Sequence, residues 1–89
     1  MNAMTFEEKI AVLKTWEEEV YRIGYFLLEN EFDAGLAAER ALFSLFGEEA
    51  FWRAGPEVRA DRVRRTAMSE ALRRKGETYA ETVRAQPTA

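Results

Sequence analysis

Residues 20–46 constrain this 89-residue chain more than any other stretch. They read VYRIGYFLLENEFDAGLAAERALFSLF, the end of one helix, a tight acidic turn and the whole of a second helix. From residue 20 to 28 only Arg22 and Gly24 are not large apolar or aromatic residues, so this part of the first helix is expected to be enclosed on most sides and to be the hub of the core. Glu29, Asn30, Glu31, Phe32 and Asp33 then break the pattern. Asp33 is a suitable N-cap, because its carboxylate accepts a hydrogen bond from an orphan amide in the first turn. So short a connection sets the two helices antiparallel.

The first helix has a marked start. Thr5 is followed three residues later by Glu8, the arrangement of a capping box. Leu13, Trp16, Val20, Ile23 and Leu27 recur at steps of three and four, with Phe6 and Ile10 extending the stripe backwards, and the whole stripe is assigned to the core. Glu17, Glu18 and Glu19 are consecutive, so they fan around the helix and read as solvated rather than as converging ligands. The second helix, about 34–46, aligns Ala34, Ala38, Ala41 and Leu45, with Leu42 and Phe46 beside them, and its small residues permit close packing. Gly35 is tolerable in a first turn, and Gly47 reads as the left-handed residue that ends the helix. Residues 48–53 form a short helical turn presenting Phe51 and Trp52. These aromatics cap the core or, in the case of Trp52, anchor a partner.

Pro56 sits where a third helix starts, at the first helical position, where a missing N–H costs nothing. Ala60, Val63, Ala67 and Ala71 give that helix a modest apolar side. On another side Arg59, Arg62, Thr66, Ser69 and Arg73 align three guanidinium groups with two hydroxyls, and Arg64, Arg65, Arg74 and Lys75 widen the basic surface. Such a stripe either holds phosphates or exchanges ion pairs with acidic residues of the first half. Gly76, following cations suited to the negative end of a helix dipole, reads as the helix end. The expected fold is therefore all-α: a small bundle of three main helices at about 5–29, 34–46 and 56–75, with short helical turns near 48–53 and 78–85. A single domain covers residues 4–85; residues 1–3 read as an expression remnant and 86–89 as a frayed tail.

Composition narrows the chemistry. With 47% hydrophobic residues the chain can bury a real but small core. It has no cysteine and no histidine, which removes disulfides, thiolate metal sites and the commonest general base. Ser44 and Ser69 have no histidine to activate them, and there is no glycine-rich phosphate loop, so no enzyme and no cofactor are expected. No signal-peptide pattern or membrane-spanning run is present, and a cytoplasmic location without membrane contact is expected. Residues 1–50 carry eleven acidic and four basic side chains, a balance of −7, while residues 51–89 carry five acidic and nine basic, a balance of +4. This polarity suggests two partners or one composite partner.

The order and spacing of these pieces over roughly residues 10–75 resemble region 2 of the bacterial extracytoplasmic-function sigma factors. The matching residues are Tyr21, Arg22, Tyr25, Leu28, Asn30, Asp33, Ala34 and Ala37, and more loosely Arg59, Ala60, Val63, Ala67, Ala71, Leu72, Arg73 and Arg74. The resemblance implies docking on the clamp helices of the RNA polymerase largest subunit, chiefly through the second helix. By position Asp33, Glu39 and Arg40 would face polymerase, and Arg59, Arg62, Arg65, Arg73 and Arg74 would face promoter DNA, positioning the strand through its phosphates.

The chain departs from the family pattern at Gly35 and Leu36, where acids are usual, at Glu39, where glutamine is usual, and at Arg40, where an acid is usual. It also departs at Asp61, in place of tryptophan, and at Met68 or Ser69, in place of asparagine. The second, promoter-reading domain is not in this sequence. The resemblance therefore implies a stand-alone, co-sigma-like protein that touches promoter DNA only with a second sigma-like chain. The alternative is an interaction module without polymerase or DNA binding, either a regulator of another sigma factor or a homodimer formed through Trp52 and the second helix.

Overall fold

The computed structural model describes residues 3–85 and contains α1 (Phe6–Leu28), α2 (Glu31–Phe46), α3 (Glu49–Arg53) and α4 (Pro56–Ala85). The all-α expectation of three main helices and one short one is met. Residues 86–89 and most of the 1–3 segment lie outside the described residues.

The local signals explain most boundaries. The Thr5 side chain accepts from the Glu8 amide at 3.1 Å, and Glu8 accepts from the Thr5 amide at 2.8 Å, completing the capping box. The turn between α1 and α2 differs from the expectation. Glu29 takes the left-handed conformation at φ 54°, and Asn30, not Asp33, is the N-cap. The Asn30 side-chain oxygen accepts from the Asp33 amide at 2.8 Å, so Asp33 lies inside the first turn and α2 begins three residues earlier than its expected start at 34. Two caps compete in this turn, and the one that lets Glu29 reverse the chain takes the role. Gly47 is right-handed at φ −83°, so the left-handed reading belongs to Glu29 instead. Gly76 does not end a helix: α4 runs unbroken to Ala85 and absorbs the expected turn at 78–85. A glycine costs a helix about 1 kcal/mol but does not stop it without a competing cap.

Four contacts fix the topology. Phe6 meets Phe46 edge-on at 5.3 Å between ring centroids, and the Gly24 backbone faces Ala34, so α1 and α2 are antiparallel. Arg64 reaches Glu19 and Lys75 reaches the Leu27 carbonyl, so α4 runs parallel to α1. Beyond Thr78, residues 79–85 are all exposed and extend past the hairpin turn by roughly 10 Å at 1.5 Å per residue. The molecule measures 64 × 21 × 20 Å.

The core lies where α1, α2 and α4 meet, with Phe51 of α3 closing one end. Phe51 is 1% exposed and Trp52 packs on it edge-on at 4.8 Å, so these aromatics do cap the core. Ala34 and Ala38 permit the close approach expected of α2; a Cβ on Gly24 would stand 3.3 Å from the Ala34 carbonyl oxygen. The end of α1 is not enclosed as expected. Val20 and Gly24 are buried, but Tyr21, Tyr25 and Phe26 are exposed, and so is Phe6, a member of the expected core stripe. Only α2 and α4 pack on α1 along its length, and nothing covers its outer half. Among the described residues no helix is long and apolar enough to cross a membrane.

Candidate functional site

The structure divides the five α4 arginines that the resemblance assigns to DNA. Arg59 turns back onto α3: its Nε donates to the Phe51 carbonyl at 3.2 Å and its Nη2 to the Trp52 carbonyl at 2.6 Å. It thereby satisfies the end of a five-residue helix, with its guanidinium 5.6 Å from the Trp52 ring centroid. Arg62 pairs with Glu48 at 2.5 Å, and that hydrogen bond holds its pKa above the usual arginine value. Arg65 pairs with Asp61 one turn back at 2.9 Å, and Arg73 lies 3.7 Å from Glu70 and 3.8 Å from Glu77. Arg62, Arg65 and Arg73 keep more than half of their side-chain surface in solvent.

Arg74 is different. Its side chain is only 14% exposed, with Nε on Asp33 at 2.8 Å and Nη1 on Glu77 at 3.2 Å. Arg40 shares the same Glu77 oxygen at 2.9 Å. Asp33, Arg74, Glu77 and Arg40 thus form one alternating chain of charges that binds α2 to α4 near the hairpin turn. Hydrogen bonds from Arg40 and then Arg74 hold the Glu77 carboxyl below its usual range, and Asp33 and Glu77 hold the Arg74 guanidinium above its own. Two of the three residues expected to face polymerase are therefore joined to one expected to face DNA. The third, Glu39, stays exposed. It lines a shallow depression with Arg40, Ser44, Glu70 and Arg73, in which one Glu70 carboxylate oxygen has no hydrogen-bond partner.

The larger concavity lies on the other flank of the Glu39–Phe43 ridge of α2, which borders both. Here α1 and α2 enclose an open groove of about 570 Å³. Its floor comes from Leu13, Ala38 and Leu42, and its ends from Phe6 with Phe46 and from Tyr21 with Gly35. Phe43 stands at its edge, 81% exposed, and Phe6 is 64% exposed. A Cβ on Gly35 would have no heavy atom within 4 Å, so open space lies over α2 at that point. Lys14, Glu17 and Glu39 are its charged lining.

Trp52, the expected partner anchor, is half-buried, and its indole N–H donates to the Phe46 carbonyl at 2.9 Å. Lys9 lies over the same ring at 5.4 Å. On α2 beside the groove the exposed aromatic is instead Phe43, which sequence reasoning missed. The available signal was its offset from the Ala34, Ala38, Ala41 and Leu45 stripe, which puts it on the far side of α2. In the sequence Gly35 stands out as a departure from the family pattern, where an acid is usual, but nothing local signals the open space above it.

Comparison with protein-family models, with curated proteins and with solved structures finds no match to this chain. The fold and the groove define a three-helix bundle with an open apolar face and no cluster of metal-ligating side chains among the described residues.

Proposed function

We propose that this protein is a docking module of the transcription apparatus, working in the manner of region 2 of the extracytoplasmic-function sigma factors. In this reading α2 and the α1–α2 groove seat on the clamp helices of the RNA polymerase largest subunit, and promoter DNA is contacted only when a second sigma-like chain completes the assembly. One observation carries it. The helix to which the resemblance assigns polymerase docking bears exposed Glu39 beside exposed Phe43, on the edge of an apolar groove open to a helical partner. An apolar groove of this kind takes the nonpolar face of a helix, with charged rims setting its register.

The DNA part of the reading rests on Arg62, Arg65 and Arg73, the three of the five assigned arginines that keep most of their side chain in solvent. Each already has an acidic neighbour, which fits weak contact to phosphates by the isolated chain. A second reading, an interaction module with a partner other than polymerase, is favoured by Asp33 and Arg40, whose charges are spent on Arg74 and Glu77.

The test is capture of the purified chain by the isolated clamp-helix segment, with Glu39→Arg and Phe43→Ser as variants checked for helical content. Binding by the parent chain that both variants lose is the expected result. Absence of binding by the folded parent overturns the polymerase reading.

A further inference from the structure

We propose that a second copy of this chain closes the α1–α2 groove, in a two-fold dimer that sets α1 of each copy against α2 of the other. The inference uses the groove and does not depend on polymerase being its docking partner.

The first argument is the balance of apolar surface. Among the described residues eleven hydrophobic side chains are buried and six of them are alanine, whereas eleven large hydrophobics are exposed. A small domain with more bulky apolar groups outside than inside gains most from association. The second argument is shape. A two-fold contact requires one patch to be complementary to itself. This face carries both parts: a projecting Phe43 ring on α2 and, at about the same height across the groove, Ile10 of α1 in its lining. Phe43 of each copy packs against α1 of the other at the level of Ile10.

The third argument is charge. Lys14, Glu17 and Glu39 line the groove, and among the described residues none of them holds an ion pair within the chain, although the arginines of α4 are largely paired. The antiparallel register fixed by Phe6 on Phe46 and Gly24 on Ala34 puts Lys14 of α1 and Glu39 of α2 at about the same height. A two-fold axis parallel to the helices then brings Lys14 of each copy opposite Glu39 of the other. Area agrees. Residues 6–21 of α1 rise about 24 Å, and two helices roughly 10 Å apart present a face of roughly 500 Å² in projection. The projecting rings of Phe6 and Phe43 add to it, which approaches the ~800 Å² per partner of a standard interface.

The dimer hides the surface used for docking, so self-association and partner binding exclude each other. Free chain is held in reserve as a dimer, and a partner must compete for the groove.

Sedimentation equilibrium over a concentration series tests this on the 89-residue chain. The expected mass rises from the 10.3 kDa monomer to twice that value and no further. Phe43→Ser, Lys14→Glu and Glu39→Lys each weaken the dimer about tenfold or more, with helical content unchanged. Lys14→Glu combined with Glu39→Lys restores the affinity to within about threefold, as a paired charge exchange should. A parent chain that stays monomeric at millimolar concentration overturns the dimer, and if it still binds the clamp-helix segment, the docking proposal survives alone. Masses above the dimer, or a double exchange no better than its single components, also overturn the two-fold arrangement.

Discussion

Replacing Gly76 by alanine tests whether α4 is one continuous helix. Among the described residues no glycine has a positive φ, and a Cβ at position 76 would meet no heavy atom within 4 Å. Alanine is about 0.8–1.0 kcal/mol better than glycine in an exposed helix interior. The overhanging last turns are held by few contacts and fray, so roughly half of that gain should reach the global unfolding transition. For a domain of this size ~0.5 kcal/mol corresponds to a rise in Tm of about 2–4 °C. Gly24→Ala supplies the internal control. It has the same propensity gain, but its Cβ would stand 3.3 Å from the Ala34 carbonyl oxygen and 3.4 Å from the Ala34 Cα, backbone that moves only if α1 and α2 separate. There the gain is cancelled, with a net loss of about 1 kcal/mol expected from overpacking. Thermal melts followed by far-ultraviolet circular dichroism, at one low protein concentration, give both values. A lower Tm for Gly76→Ala would show a left-handed helix end at that position and refute the continuous α4. A higher Tm for Gly24→Ala would refute the close helix crossing.

Asn30→Ala removes the acceptor for the Asp33 amide and should cost about 1 kcal/mol in urea denaturation; no change would return the capping role to Asp33. Glu77→Gln should alter the pH dependence of stability. Because Arg40 and Arg74 hold the folded Glu77 carboxyl below its ordinary value of 4.5, its contribution is complete above that value and fades as the pH falls through the lower, folded one. The gap between the urea midpoints of parent and variant should therefore be constant near neutrality and shrink below about pH 4.5. A gap that stays constant down to pH 3 would show that this carboxyl titrates normally in the folded chain.

What the sequence revealed was mostly local. The Thr5–Glu8 capping box, the proline start of α4, the alanine side of α2 and the capping by Phe51 depend on neighbours within a turn or two, and the structure has all of them. What it concealed depends on how many neighbours surround a helix. Periodicity aligns Phe6 with Leu13 and Val20, but cannot say that α1 has only two companions along its length, which leaves Phe6, Tyr25 and Phe26 in solvent. The arginines show the same limit. Spacing puts Arg59, Arg62 and Arg73 on one side of α4, but only the fold shows that Arg59 folds back onto α3, and that Arg62 and Arg74 reach Glu48 and Asp33. The groove, made by residues from two helices, had as its one local trace an aromatic residue off the apolar stripe.

The overhang of α4 has a hydrodynamic consequence. A compact 89-residue chain has a radius of gyration of about 12 Å, and a compact chain of twice that length about 16 Å. The single chain described here has 15.5 Å. A column that separates by size would therefore elute the monomer where a compact dimer is expected, and a small-angle scattering radius alone would make the same error. Only a measurement of mass distinguishes one rod from two copies packed face to face.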